Sequence, residues 1–416
     1  MSSGRSIGSS HFDGLETRTE STRAAALSVM LPRAVARAQC APAYCELLHD
    51  VHAEGVVDAD VLSHLPVTRK SALIGLQAET PPLGGLHLTP VPDMARIFAS
   101  PGPIYEAQAE GVDPWRYARA LHATGLRRGQ LLHNCFAYHF TPAGMMLESG
   151  ARALRCPVFP AGPGNTEAQA RAAAHLRPVC YAGTPDYLKA ILEAGEALGL
   201  DLTSFRLGHV TGGAYLPALR SFYADRDLTV LQSYGTADLG LIAYESEARE
   251  GLIVDEAVLV EIVRPGTGDP VPDGEVGEVL VTLLDSPDPL IRFATGDLSA
   301  ILPGASPCGR TNRRIKGWMG RADQATKVRG MVVRPEQGAE VMRAHPGLGR
   351  ARLVVGSKDG RDTMTLRVEA PARDAALVES LAKSLQGITR LRGEVRLEEP
   401  GALPNDGKVI EDTRPT

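Results

Sequence analysis

Between residues 131 and 235 the chain alternates short apolar runs with helical stretches, and few folds tolerate that alternation. LLHNCFAY, CPVFPAG, VCYAG, FRLGHVTGG and LTVLQSYG read as strands. The intervening stretches 142–155, 185–198 and PALRSFYADR read as helices, with proline suited to a first turn. A further helix opens at Thr166, with Gln169 three residues on in capping-box spacing. Strands joined through helices pair in parallel by right-handed crossovers, and such a sheet is covered on both faces. The sequence therefore predicts an α/β fold whose large N-terminal domain holds a parallel, doubly wound sheet. In such sheets ligands gather at the loops leaving the carboxyl ends of the strands. The loops to watch are 211–215 and 233–240.

The flanks have different textures. Residues 15–76 look mainly helical, with Ala-rich periodicity in STRAAALSVMLPRAVARAQ. After Gly251 the pattern is β: AVLVEIVRP and GEVLVTLL alternate around the turn-rich GTGDPVPDGEV. LIRFATGDLSAIL reads as a strand pair broken at Thr295-Gly296-Asp297. From Gly320 the order is strand (MVV), helix (335–344), strand (RARLVVGS), turn, strand (TMTLRVEA), helix (372–385), strand (EVRLEE). That is an α+β module with its helices on one face of a small sheet. A chain of 416 residues suits one large domain and one smaller. The division falls at 322/323: residues 1–322 form the large domain with a β-subdomain, and 323–416 the small one.

Composition narrows the partners. A net charge of −5 gives no reason to expect nucleic acid or membrane as the main partner. MSSGRSIGSSHFDGLETRTE contains no apolar leader segment, so cytoplasmic residence is the expectation. The six cysteines (Cys40, Cys45, Cys135, Cys156, Cys180, Cys308) are scattered, which suits buried thiols better than a disulfide framework or a zinc cluster.

Four glycine-bearing turns carry chemistry-competent side chains. Ser233-Tyr234-Gly235-Thr236-Ala237-Asp238 ends a strand: its glycine admits close backbone approach, Tyr234 a stacking face and Asp238 a magnesium-friendly oxygen. The others are Thr295-Gly296-Asp297, Gly320-Arg321-Ala322-Asp323, and Asn405-Asp406-Gly407-Lys408. Each alone is equally what a turn, a cap or a surface lysine looks like. Their order and spacing are more specific. With LETRTESTRAAAL, HLPVTRKSAL, NCFAYHF, FPAGPGNTEAQ, YAGTPDYL, TGGAYLP, QSYGTADLG, PLIRFATGDL, CGRT, GRADQATKVRGMVVRPEQ and NDGKVIEDTR, the chain resembles the phenylacetate–CoA ligase family of the adenylate-forming superfamily over nearly its whole length.

The resemblance implies an AMP-forming acid–thiol ligase that uses ATP, magnesium and coenzyme A on an aromatic carboxylic acid. It implies that Asp297, with Arg321 nearby, holds the ribose and that Tyr234 stacks on adenine over Gly212, Gly213 and Ala214. Ser233, Gly235 and Thr236 belong to the same nucleotide loop, and Asp238 is its catalytic acid and magnesium ligand. Asp323 would be the hinge of a mobile small domain whose Lys408 reaches the carboxylate and the α-phosphate. Phe136, Tyr138, His139 and Phe140 would line the acyl pocket. A homodimer is the usual expectation. A carrier-protein thiol or an amine is a second possible acceptor, and a nucleotide- or adenylate-binding protein without turnover is a third reading.

Two departures stand out. Relatives carry a hydroxyl-rich phosphate loop ending in lysine. Here residues 99–106 read ASPGPIYE, keeping Ser100 and Gly102 but placing Glu106 at the lysine position. Some relatives hold a structural zinc. Ser246 and Ile253 take two of those places and only Cys308 remains, so no zinc is expected.

Overall fold

The computed structural model describes residues 10–100, 104–322, 324–329, 331–358, 361–372 and 374–414. Gly102 and Asp323, the expected phosphate-loop glycine and hinge, lie outside them. The chain forms two compact units. One comprises Met1–Val260, Val281–Phe293 and Leu302–Gly317, the other Glu261–Leu280, Ala294–Ile301 and Trp318–Thr416.

The first unit is built on the alternation read from the sequence. Val158–Pro160, Leu132–Asn134, Cys180–Gly183, Leu207–Val210 and Thr229–Thr236 lie side by side in that order, all parallel. Gly240–Tyr244, Leu252–Val254 and Arg314–Ile315 continue the sheet antiparallel. Successive side chains of a strand face opposite ways. Cys180 and Ala182 accordingly join one core with Leu121 of Tyr117–Thr124 and Met146, Leu147 and Ala151 of Ala143–Ala153. Tyr181 enters the other, with Ala170 and Ala173 of Thr166–Leu176, Leu188 and Ile191 of Pro185–Ala197, and Tyr223 of Pro217–Ala224. The sheet is doubly wound, as expected. The capping-box reading of Gln169 does not hold: Asn165 precedes the helix, and Gln169 is buried, donating to the carbonyls of Gly162 and Gly164 at 2.7 Å each. Its amide ties down the loop before the helix rather than the helix end.

The N-terminal segment is stitched on by charge. Glu16 is fully buried and takes Arg310 Nε at 3.0 Å, Arg119 Nη1 at 3.2 Å and the Tyr244 hydroxyl at 2.9 Å. A carboxylate survives burial only with such partners. The helix Glu20–Ala38 follows, its first turn capped by Thr19, which accepts from Thr22 N.

In the second unit the sheet order is Glu394–Glu398, Arg361–Glu369, Ala351–Lys358, Ile410–Asp412. Leu353, Val355, Met364, Leu366 and Val368 share one core with Val341 of Pro335–Arg343 and with Leu381 and Leu385 of Ala375–Thr389. This is the α+β module, its second helix lying three residues later than the sequence suggested. Phe293–Ser299 is a single strand running through Thr295-Gly296-Asp297. The expected break is displaced to Ala300, because Gly296 stays in the strand at φ 75 and Ile301–Leu302 starts anew.

Candidate functional site

Helices leave the strand ends toward opposite faces between Leu132–Asn134, which feeds Ala143–Ala153, and its neighbour Cys180–Gly183, which feeds Pro185–Ala197. That is the topological switch point of the sheet, where a crevice opens. Residues 135–142 leave from it. Phe136 is half-buried against the core, and Tyr138 accepts a hydrogen bond from Asn134 Nδ2 at 2.7 Å. His139 and Phe140 are exposed, Phe140 at φ 60. Phe136 Cε1 lies 3.8 Å from where a Cβ on Gly212 would stand, and a Cβ on Gly213 would meet Pro185 at 3.1 Å. The exposed 212–214 turn thus packs beside both flanks of the crevice.

The next strand carries the Tyr234 loop, and a buried relay positions it. Thr124 Oγ1 donates to the Ala120 carbonyl at 3.0 Å, so it accepts from His209 Nδ1, also 3.0 Å away. His209 Nε2 is then the acceptor for the Ser233 hydroxyl at 2.9 Å, and Ser233 takes the hydroxyl of Tyr117. Burial drives the imidazole down to about 3, so it stays neutral and keeps this tautomer. At Gly235 a Cβ would stand 2.5 Å from the Gly240 carbonyl oxygen and 2.7 Å from the Tyr117 hydroxyl, so only glycine fits. Thr236 Oγ1 accepts from Leu239 N at 3.2 Å, closing the turn that carries Asp238.

Asp238 is engaged: its Oδ2 takes Lys70 Nζ at 2.5 Å, with only 6% of the side chain exposed. Among the described residues no three His, Cys, Asp or Glu side chains are grouped to hold a metal ion. At Cys308 the sulfur lies 3.1 Å from the Ser306 hydroxyl and accepts from Arg310 Nη1 at 3.5 Å, while Ile253 is buried in a strand of the core.

In the segment expected as a phosphate loop, the described residues on either side of 101–103 form an antiparallel strand pair, Arg96–Ser100 with Ile104–Gln108. Gln77 clasps it, donating to Tyr105 O at 2.8 Å and accepting from Tyr105 N at 2.9 Å. Ala99 N donates to Phe140 O at 2.8 Å, tying the strand pair to the aromatic segment. Ser100 Oγ donates to Glu106 Oε1 at 2.5 Å across the strands. Burial pushes the Glu106 carboxyl up to about 7, with a further rise from Asp238.

In the second unit Asp297 Oδ1 accepts from Arg321 Nη1 at 3.0 Å and Trp318 Nε1 at 3.1 Å. A Cβ on Gly296 would lie 2.8 Å from Arg321 Nη2, so the missing side chain makes room for the guanidinium. The Lys408 turn is held on three sides. Buried Arg352 pairs with Asp406 and, at 3.1 Å, with Glu411. Gln324 Oε1 accepts from Val409 N at 2.7 Å and Ile410 N at 2.9 Å. Asn405 Oδ1 accepts from Val276 N at 2.9 Å. Lys408 itself makes no ion pair among the described residues, and with Arg321 it lines a cleft of about 250 Å³. Trp318, Gln324, Arg352, Lys70 and His209 are positions that sequence reasoning did not single out. Lys70 and Gln324 lie inside quoted motifs, HLPVTRKSAL and GRADQATKVRG; His209 and Trp318 are ordinary core or surface residues until folded.

No protein-family model matches the chain. A phenylacetate–coenzyme A ligase of Thermus thermophilus is 30% identical over 402 residues, covering 87% of this chain and 89% of that one. The chain belongs to the phenylacetate–CoA ligase family. Family membership extends to a phenylacetate–coenzyme A ligase of Aromatoleum evansii, 29% identical with 88% of each chain covered. A 2-hydroxyisobutyryl-CoA ligase, solved with its 2-hydroxyisobutyryl adenylate and CoA, has the same fold: TM-score 0.71, 22% identity, 99% of this chain and 94% of that one covered.

Proposed function

We propose that this member of the family is an AMP-forming ligase that activates an aromatic carboxylic acid with ATP and passes the acyl group to coenzyme A. In the first step a carboxylate oxygen attacks the α-phosphorus, the bond to the bridging oxygen breaks, and pyrophosphate leaves. In the second the thiol of coenzyme A, having lost its proton, attacks the acyl carbon, the bond to the phosphate oxygen breaks, and AMP leaves.

The observation that supports this reading is that one unit holds both Lys408, without an ion pair among the described residues, and Asp297, fixed by Trp318 and Arg321. Asp297, fixed by Trp318 and Arg321, is suited to accept both ribose hydroxyls. Lys408, on a turn clasped by Arg352, Gln324 and Asn405, is a cation for the charge that builds on the α-phosphate, where a preorganised charge acts most strongly. Tyr234 would stack on adenine above 212–214, with Ser233, Gly235 and Thr236 shaping the loop. Asp238, paired with Lys70, acts as a positioning residue in this reading, and magnesium comes with ATP as substrate. Phe136 and Tyr138 offer a flat apolar wall at the switch-point crevice, with His139 and Phe140 at its mouth, which suits an aryl group. Asp323 would be the hinge that exchanges the two half-reactions.

The test is pyrophosphate release from ATP across a panel of aromatic and aliphatic acids, followed by AMP release with and without free coenzyme A. Release that depends on an aromatic acid and AMP release hastened by coenzyme A are expected. Release with no acid in the panel would overturn the ligase reading. Turnover only with a carrier-protein thiol would move the acceptor.

A further inference from the structure

The strand pair places a carboxyl where relatives carry a lysine, and its surroundings say what that carboxyl does. Glu106 is turned inward and only 4% exposed. Ser100 satisfies Oε1, while Oε2 is buried with no hydrogen-bond partner among the described residues. A cavity of about 30 Å³ adjoins it, shared with Gln77, His87, Tyr105 and Asp238, with room for one or two waters. His87 Nδ1 is likewise buried without a partner among the described residues.

The titratable groups facing Glu106 are Asp238, Lys70 and His87. Burial dominates and holds the carboxyl near 7; Asp238 pushes the same way, and Lys70 opposes. His87 is lowered by its own burial and contributes no charge at neutral pH. Once Glu106 ionises, two carboxylates therefore face one ammonium. This excess lies next to the proposed nucleotide loop, because Asp238 stands four residues after Tyr234 and Ala99 is bonded to Phe140. Free of magnesium, a triphosphate brings about twice the negative charge of a monophosphate, and an acyl-adenylate less than either.

We propose that Glu106 is a specificity residue that weakens the hold on the triphosphate chain of ATP while leaving AMP and acyl-adenylate binding intact. It acts through its field, since its side chain is too buried to touch a ligand. The protein then favours the adenylate end of its reaction, acyl transfer and its reversal, over capture of ATP. The inference rests on the adenylate-forming reading above.

The experiment is calorimetric titration of the full chain with AMP and with ATP free of magnesium at pH 6 and pH 8, for wild type and Glu106→Gln. At pH 8 the substitution is expected to tighten ATP about tenfold, the scale of one charge removed in a partly screened site. AMP should change less than about twofold on the same reasoning. In the wild type the preference for AMP over ATP should relax from pH 8 to pH 6 by more than in the variant, whose own change measures titration of the phosphates. The wild-type pH series alone decides the question if the variant folds poorly: a preference that does not change with pH overturns the proposal. So does a variant in which ATP is unaffected, or in which ATP and AMP move together. AMP binding with an unmoved ratio defeats this inference and leaves the ligase reading standing; absence of AMP binding in wild type defeats both.

Discussion

Glu106→Gln should also stabilise the fold, in one pH window only. The ordinary value for a glutamate is 4.5, and in this fold burial lifts Glu106 to about 7. Below 4.5 the carboxyl is protonated in both folded and unfolded chains and costs nothing. Between 4.5 and 7 the unfolded chain ionises while the folded one holds its proton, so stability falls as pH rises. Above 7 the loss is complete, and the span corresponds to about 3 kcal/mol. Glutamine keeps the Ser100 hydrogen bond and never ionises. It should gain about 2–3 kcal/mol over wild type at pH 8 and nothing near pH 4.5. Trp115 reports on this region, since its ring lies 6.0 Å from Phe98 of the strand pair. Urea unfolding followed by Trp115 fluorescence in a Trp318→Phe background gives the difference at each pH. A gain equal at pH 5 and pH 8, or none at pH 8, would refute the burial argument.

Two further substitutions address the second unit. Arg352→Met removes a guanidinium buried to 4% from two carboxylates that are each about one-third exposed. Because those carboxylates can rehydrate, the cost should be about 2–3 kcal/mol, below that of stranding a buried charge. It should appear as faster hydrogen exchange across residues 403–412. Gly296→Ala puts a Cβ at a left-handed φ and 2.8 Å from Arg321. It should displace the guanidinium from Asp297 and weaken AMP binding about tenfold, for about 1–2 kcal/mol of strain; unchanged affinity would argue against a ribose role for Asp297.

The parallel sheet was legible because its strands are short apolar runs separated by helices with clear starts, such as the proline opening Pro185–Ala197. The α+β module was legible for the same reason. What local pattern could not supply were pairings across sequence. Asp238 reads as a magnesium-friendly carboxylate, and only the fold shows that Lys70, 168 residues away, pairs with it. Gln169 matches a capping box until folding buries it under a loop. Thr295-Gly296-Asp297 reads as a break because glycine and aspartate favour turns; in the fold, pairing continues through Gly296 and its missing side chain accommodates Arg321. The Ser100–Glu106 contact likewise needs the pairing of Arg96–Ser100 with Ile104–Gln108, which no local pattern supplies.

The central claim is that Lys408 serves adenylation. Its most direct test compares Lys408→Ala with wild type in two assays: pyrophosphate release from ATP with an aromatic acid, and transfer to coenzyme A from preformed acyl-adenylate. Loss of the cation should lower the first by about a hundredfold or more and leave the second within a few-fold. Unchanged pyrophosphate release, or an equal fall in both assays, would contradict the account.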